Sequence, residues 1–265
     1  MDKSIYINDY MRILTNRKYS KKTIETYLSN VTVFMNYFEG RDIINIPANE
    51  IHNYILSPVK INTQRTIYSP LKILYTEVLN QSDKFKGFVI PRAQKIEKVS
   101  IQKVELMRKI SSVPNLKHEV ILTLTYSLGL RVSELLNIKI SNIDFINNTI
   151  TILNTSDEVN RMSPMSTHVY ELLSKYIRSY NQTKYLLNGQ NAPKYSANSC
   201  RNVVEKYIGK EYSMNTLRNS TAITLFENGT NLKHIQKHLG LKSIKMAKDY
   251  VKKAKSEPIK INLPI

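Results

Sequence analysis

Residues 215–250 read NTLRNSTAITLFENGTNLKHIQKHLGLKSIKMAKDY, a series of helical runs broken at Gly229 and Gly240. Arg218 stands early in the first run and Tyr250 closes the last. The pairing matters because a phenol can attack phosphorus, while a guanidinium, planar and permanently charged, binds two phosphate oxygens at once. Taken singly neither residue carries much signal, since the chain has 17 tyrosines. A second arginine in a distinctive setting lies upstream, in GLRVSELLNIKISNIDF over residues 129–145. There one helix stops at Gly129 and another begins, so Arg131 sits near a helix N-terminus, which favours anions. Glu134, three residues on, is placed to cap a backbone donor or orient a neighbouring element.

Composition points the same way. The 265 residues carry 39 Lys and Arg against 21 Asp and Glu, a formal charge of +18. Such an excess is self-repulsive unless a polyanion relieves it, and nucleic acid is the first partner to suspect. No run of about 18 apolar residues is present to span a bilayer. The N-terminus MDKSIYINDY lacks the apolar core of a signal peptide. Cys200 is the single cysteine, which excludes an intrachain disulfide and suits a reducing, cytoplasmic setting. His234 and His238 have a metal-ligand spacing, but no third ligand accompanies them and no metal is expected. The 7 glycines include no phosphate-binding loop, which argues against a nucleotide-binding fold.

Helices are expected over Ile5 to Leu14 and from Ser20 to Gly40, the latter through Ile24, Tyr27, Leu28, Val31, Met35 and Phe38. Two more follow, after Pro47 and over Gln64 to Leu79, with Pro70 expected to kink or divide the last. Together they make a helical domain over residues 1–82. Residues 83–98 are polar, basic and interrupted by Gly87 and Pro91, and read as a linker. Its Lys84, Lys86, Arg92 and Lys95 are placed to run along a phosphate backbone. In the second domain, residues 99–265, Ser100 is expected to cap a helix carrying Val104 and Met107. A long helix from Asn115 then buries Val120, Ile121 and Leu124 and stops at Gly129. Ile143 to Leu153 and Arg161 to Met165 form a small three-stranded antiparallel sheet, and from Ser166 onward the chain is helical again. The fold class is mainly α with a small antiparallel β-sheet.

The two arginine stretches resemble the tyrosine recombinase (phage integrase) family, in its Xer-like branch. That family's pattern H-x-L-R-H-S-x-A-T is matched by NTLRNSTAI at Asn215 to Ile223. Leu225, Gly229, Leu232, Ile235, Gln236, Leu239 and Gly240 echo its L-x-x-x-G-x-x-L-x-x-I-Q-x-x-L-G, and Tyr250 falls where the family's nucleophile sits. Ser20, Thr23 and Tyr27 match S-x-x-T-x-x-x-Y of its N-terminal domain. The resemblance implies a helical SAM-like core-binding domain joined to a recombinase catalytic domain, forming a clamp around duplex DNA. It implies assembly as a tetramer on paired sites, or with a partner recombinase, and site-specific strand exchange through a 3′-phosphotyrosyl intermediate. In that scheme Tyr250 is the nucleophile, Arg131 and Arg218 hold the phosphate, and no metal or nucleotide cofactor takes part. Lys21, Lys22, Lys242 and Lys245 join the linker cations as DNA contacts.

The departures from the pattern are specific. Asn215 and Asn219 replace histidines, Leu241 replaces a histidine or tryptophan, and Ser156 stands nearest the place of the hairpin lysine. No lysine occurs between Lys139 and Lys175, although Arg161 and Pro164 of the hairpin pattern are retained. Each lost proton-transfer group is worth about 10²–10⁴ in rate. A catalytically impaired DNA-binding protein on the recombinase frame, architectural or regulatory, is therefore the alternative reading. A monomeric relaxing topoisomerase is a more distant one. The tail Ile259 to Ile265 is expected either to dock onto a neighbouring protomer or to be a free terminus.

Overall fold

The computed structural model describes residues 3–58, 60–91, 99–154, 158–180, 182 and 184–252. The chain forms two compact units, residues 1–96 and 97–265.

In the first unit α1 (Lys3–Asn16), α2 (Lys21–Tyr37), α3 (Ala48–Leu56) and α4 (Ile61–Ile73) enclose one core. Ser20 starts α2 as its sequence requires, its Oγ accepting from the Thr23 N–H at 3.2 Å. Phe34 then meets Tyr54 and Tyr75 edge-on, at 5.1 and 6.0 Å. Pro70 does not divide α4. Pro70, Leu71 and Ile73 are all buried, and the Tyr10 hydroxyl donates to the Pro70 carbonyl at 3.1 Å, so packing carries the helix past the missing N–H. The ladder widens only afterwards, into a π-turn over Leu74–Val78.

The expected linker begins too early. A 3₁₀ turn at Ser82–Phe85 buries Phe85 in the first core, and the residues after it bury Ile90 there and stack Phe88 on His52 at 3.8 Å. Lys84 is no phosphate contact of a loose tether. Its Nζ donates to the Ile44 and Ile46 carbonyls at 2.5 and 2.6 Å and lies 5.2 Å from the Tyr75 ring centre. Three apolar residues in a polar context were enough to fasten the segment, and composition averaged over the stretch hides them. Lys84→Met is expected to destabilise this unit by about 1–3 kcal/mol, the scale of charge-assisted hydrogen bonds, with little change in DNA affinity. Thermal melts beside DNA titrations check this; weaker DNA binding at an unchanged melting temperature would return Lys84 to the DNA-contacting set.

The second unit is arranged around α6 (Leu116–Ser127), which follows α5 (Lys103–Ser111) and precedes α7 (Val132–Leu136). Every residue from Val120 to Tyr126 is buried, so α6 is a central helix rather than an amphipathic one. The sheet comprises β1 (Ile143–Asp144), β2 (Thr149–Leu153) and β3 (Val159–Pro164), antiparallel in that order. Next come α8 (Thr167–Ser179), α9 (Ala197–Tyr207), α10 (Met214–Glu227), α11 (Leu232–His238) and α12 (Ile244–Val251). Helices α5, α8, α9 and α10 all pack on α6.

Two further expectations fail here. Gln102, not Ser100, precedes α5, and its buried face is Leu106 and Ile110 while Val104 is 82% exposed. The apolar pairs 104/107 and 106/110 compete for the face, and the core takes the one with leucine and isoleucine. Residues 184–196 are also not helical: the segment 184–186 instead pairs with 138–140, through Leu186 N–H to Ile138 O at 2.8 Å and Ile140 N–H to Lys184 O at 3.0 Å. Among the described residues no helix is long and apolar enough to cross a membrane, and no group of three or more metal-ligating side chains occurs.

Candidate active site

Arg218 lies in the second turn of α10, whose start is fixed by a reciprocal Ser213–Thr216 cap with bonds of 3.0 and 3.3 Å. Its side chain is 1% exposed. One guanidinium nitrogen donates to the Gly129 carbonyl and the other to the Leu239 carbonyl at 2.5 Å. These carbonyls lie at the C-terminal ends of α6 and α11, where helix dipoles favour a cation. Gly129 has φ +58°, and a Cβ there would run into Leu239 Cδ2, so only glycine brings the two ends this close. The Tyr250 side chain comes close enough to the same guanidinium to influence its protonation. Burial lowers the Arg218 pKa, and the neighbouring Tyr250 opposes the shift.

Arg131 is the N-cap residue of α7 and reaches back to Glu134, Nη1 to Oε1 at 2.6 Å, while its backbone N–H donates to Oε2 at 2.9 Å. Both roles expected of Glu134 are thus filled by one carboxylate. Glu134 is 4% exposed and also receives Arg161 Nη2 at 3.3 Å and Asn160 Nδ2 at 3.2 Å; Arg218 Nη1 lies 3.5 Å away. Burial pushes the Glu134 pKa up, but the charge of Arg161 and the hydrogen bonds of Arg131 and Arg161 outweigh it, leaving the carboxyl below its ordinary value. Three guanidiniums around one carboxylate leave the site strongly positive. Beside it, β3 and α11 border a cleft of about 710 Å³ whose charged lining, Arg161, Lys237 and Lys242, includes no acid.

The structure therefore brings Tyr250, Arg131 and Arg218 to one place. Asn215 lies exposed in the first turn of α10, and Leu241 is 6% exposed in an apolar cluster with Ala222, Ile235, Leu239, Ala247 and Val251. Lys21, Lys22, Lys86, Lys242 and Lys245 are exposed. Ser156, Arg92, Lys95 and the tail Ile259 to Ile265 lie outside the described residues. His238 turns inward: its Nε2–H donates to the Ser127 carbonyl at 3.2 Å. Burial lowers its pKa, opposed by that bond and reinforced by Arg161 and Arg218. The sequence signals for this inward turn were a histidine at an apolar position of the family pattern and, for Arg161, the strand alternation that points residues 161 and 163 inward.

Comparison with known proteins gives the family. Residues 100–257 match the model of the phage integrase family, and residues 7–83 that of the phage integrase N-terminal SAM-like domain. The chain belongs to the phage integrase family, the tyrosine recombinases, which are DNA strand-transfer enzymes. A tyrosine recombinase of Agathobacter rectalis is 26% identical over 257 residues, covering 92% of this chain and 77% of its own. Tyrosine recombinase XerC of Staphylococcus aureus is 28% identical over 256 residues, with 84% and 83% covered. Among solved structures, a lambda integrase tetramer bound to a Holliday junction superposes with a TM-score of 0.75 at 18% identity, over 97% of this chain and 79% of that one. The Tn1549 transposon integrase in complex with circular intermediate DNA gives 0.72 at 18%, over 96% and 99%. At such identities the likeness is one of fold.

Proposed function

We propose that this chain is a site-specific DNA recombinase that cuts and rejoins duplex DNA through Tyr250, working as an oligomer on paired sites. The observation that carries the reading is the convergence of Tyr250 and the buried Arg218 guanidinium, whose pKa Tyr250 raises, with Arg131 at the same carboxylate. A phosphodiester entering there meets the partly exposed Arg131 and, behind it, the charge of the buried Arg218, which together stabilise the charge that develops as phosphorus becomes five-coordinate. The Tyr250 oxygen gives its proton to solvent water and bonds to phosphorus, the bond to the 5′ oxygen breaks, and that oxygen takes a proton from solvent water. Reversal by a 5′ hydroxyl of another strand releases Tyr250 and completes exchange without a cofactor.

A second reading has its own support. Asn215 cannot transfer a proton, Leu241 is committed to an apolar cluster, and the one cation of the hairpin sequence, Arg161, is turned inward to Glu134. On that reading the frame binds DNA and does not cut it. Suicide DNA substrates, nicked so that the 5′ product diffuses away, separate the two. The expected result is a covalent protein–DNA band on denaturing gels that Tyr250→Phe abolishes. Absence of the band on DNA shown to be bound leaves the architectural reading in possession.

A further inference from the structure

We infer that Arg161 is a positioning residue of the phosphate clamp, acting through Glu134 on the guanidinium of Arg131. This rests on the clamp reading above. Strand alternation turns Arg161 inward from β3, opposite Ile152, and leaves its side chain 6% exposed. Nη2 is shared between the Leu128 carbonyl and Glu134 Oε2, both at 3.3 Å, while Nε and Nη1 have no partner. The guanidinium fits because residue 240 is glycine: a Cβ there would lie 2.8 Å from Nη1.

Stability alone does not account for such a residue. Its charge adds to those of Arg131 and Arg218 around a single carboxylate, and an apolar side chain of similar volume at a buried ionic site is often neutral or stabilising. What Arg161 contributes is geometry. Arg131 is 38% exposed, and its side-chain fork is tied to Glu134 Oε1. The carboxylate plane must then be fixed from its other side, and β3 does this with Arg161 on Oε2 and Asn160 on Oε1. The hairpin supplies no lysine to the phosphate in this chain, and here it instead holds the residue that aims the exposed arginine.

The test measures inorganic phosphate binding, from the rise in melting temperature along a phosphate titration at fixed ionic strength, for wild type, Arg161→Met and Arg161→Lys. Lysine keeps the charge but offers a compact ammonium in place of a planar fork. Both variants are expected to weaken phosphate binding about tenfold or more, as misplacement of a clamping group does. Wild-type affinity in Arg161→Lys alone would show that charge, not geometry, matters and overturns the inference. Lower melting temperatures with unchanged phosphate affinity in both variants would reduce Arg161 to packing and also overturn it. Asn160→Ala, at an exposed position, covers the case in which an Arg161 variant does not fold: it is expected to cost about threefold through its single hydrogen bond, and wild-type affinity there counts against the linkage. No phosphate effect on wild type removes the clamp and this inference together. Failure to form a covalent DNA adduct, in contrast, leaves the inference standing, because phosphate binding needs no cleavage.

Discussion

Glu134→Ala is expected to lower stability by about 3–5 kcal/mol at neutral pH, because it removes the counter-charge from buried guanidiniums. Arg161 and Arg218 are 6% and 1% exposed and cannot turn to water, and Arg131 loses both its side-chain and its backbone bond to the carboxylate. The sign of the pH dependence follows from the depressed pKa. A carboxyl held below its ordinary 4.5 in the folded state contributes fully above that value and loses its contribution as pH falls from there through the folded pKa. Wild type is thus expected to weaken on acidification below about pH 4.5, and Glu134→Gln to flatten that limb. Urea melts at a series of pH values measure both. An alanine variant within about 1 kcal/mol of wild type at neutral pH, well inside the scatter of ordinary substitutions, would show that the arginines need no carboxylate.

The parts of this molecule legible in the sequence are those governed by local chemistry. Ser20 before Ile24 and Tyr27, Asn115 before Val120 and Leu124, and Gly129 with its positive φ mark helix ends by capping and backbone freedom alone. Tyr250, Arg131 and Arg218, proposed as nucleophile and phosphate clamp, were picked out because their spacing follows the family pattern. What escaped depends on contacts between distant residues. The aromatic anchors Phe85 and Phe88 sit in a stretch whose average composition is that of a tether, and their partner His52 lies more than thirty residues away. The sharing of Glu134 by Arg131, Arg161 and Arg218 joins α7, β3 and α10, and no single window contains it. His238 likewise faces Ser127 across 111 positions of sequence.

Asn215→His is expected to raise the rate of covalent adduct formation by about 10²-fold, the lower end of what a positioned acid–base group provides. Residue 215 precedes Arg218 by three positions on α10, so the two share a helix face and an imidazole there is directed toward the phosphate that Arg218 serves. The site is exposed and lies outside the Ser213–Thr216 cap, so the change should move stability by no more than about 0.5 kcal/mol. Leu241→His restores another of the family's histidines at a very different cost. Leu241 is packed with Ala247 and Val251 of α12, the helix that carries Tyr250, and burying an unpaired imidazole there costs about 1–3 kcal/mol and disturbs the nucleophile's own support. The two substitutions therefore should not be equivalent: the first speeds cleavage and adds a titration near pH 6.5 to the rate profile, about the ordinary histidine value, whereas the second destabilises without a matching gain. Single-turnover adduct assays with melts of the same proteins check this. If Asn215→His binds DNA and still forms no adduct, the remaining departures, the missing hairpin lysine and Leu241 among them, are enough to halt the chemistry, and the arginine clamp serves to hold DNA and not to cut it.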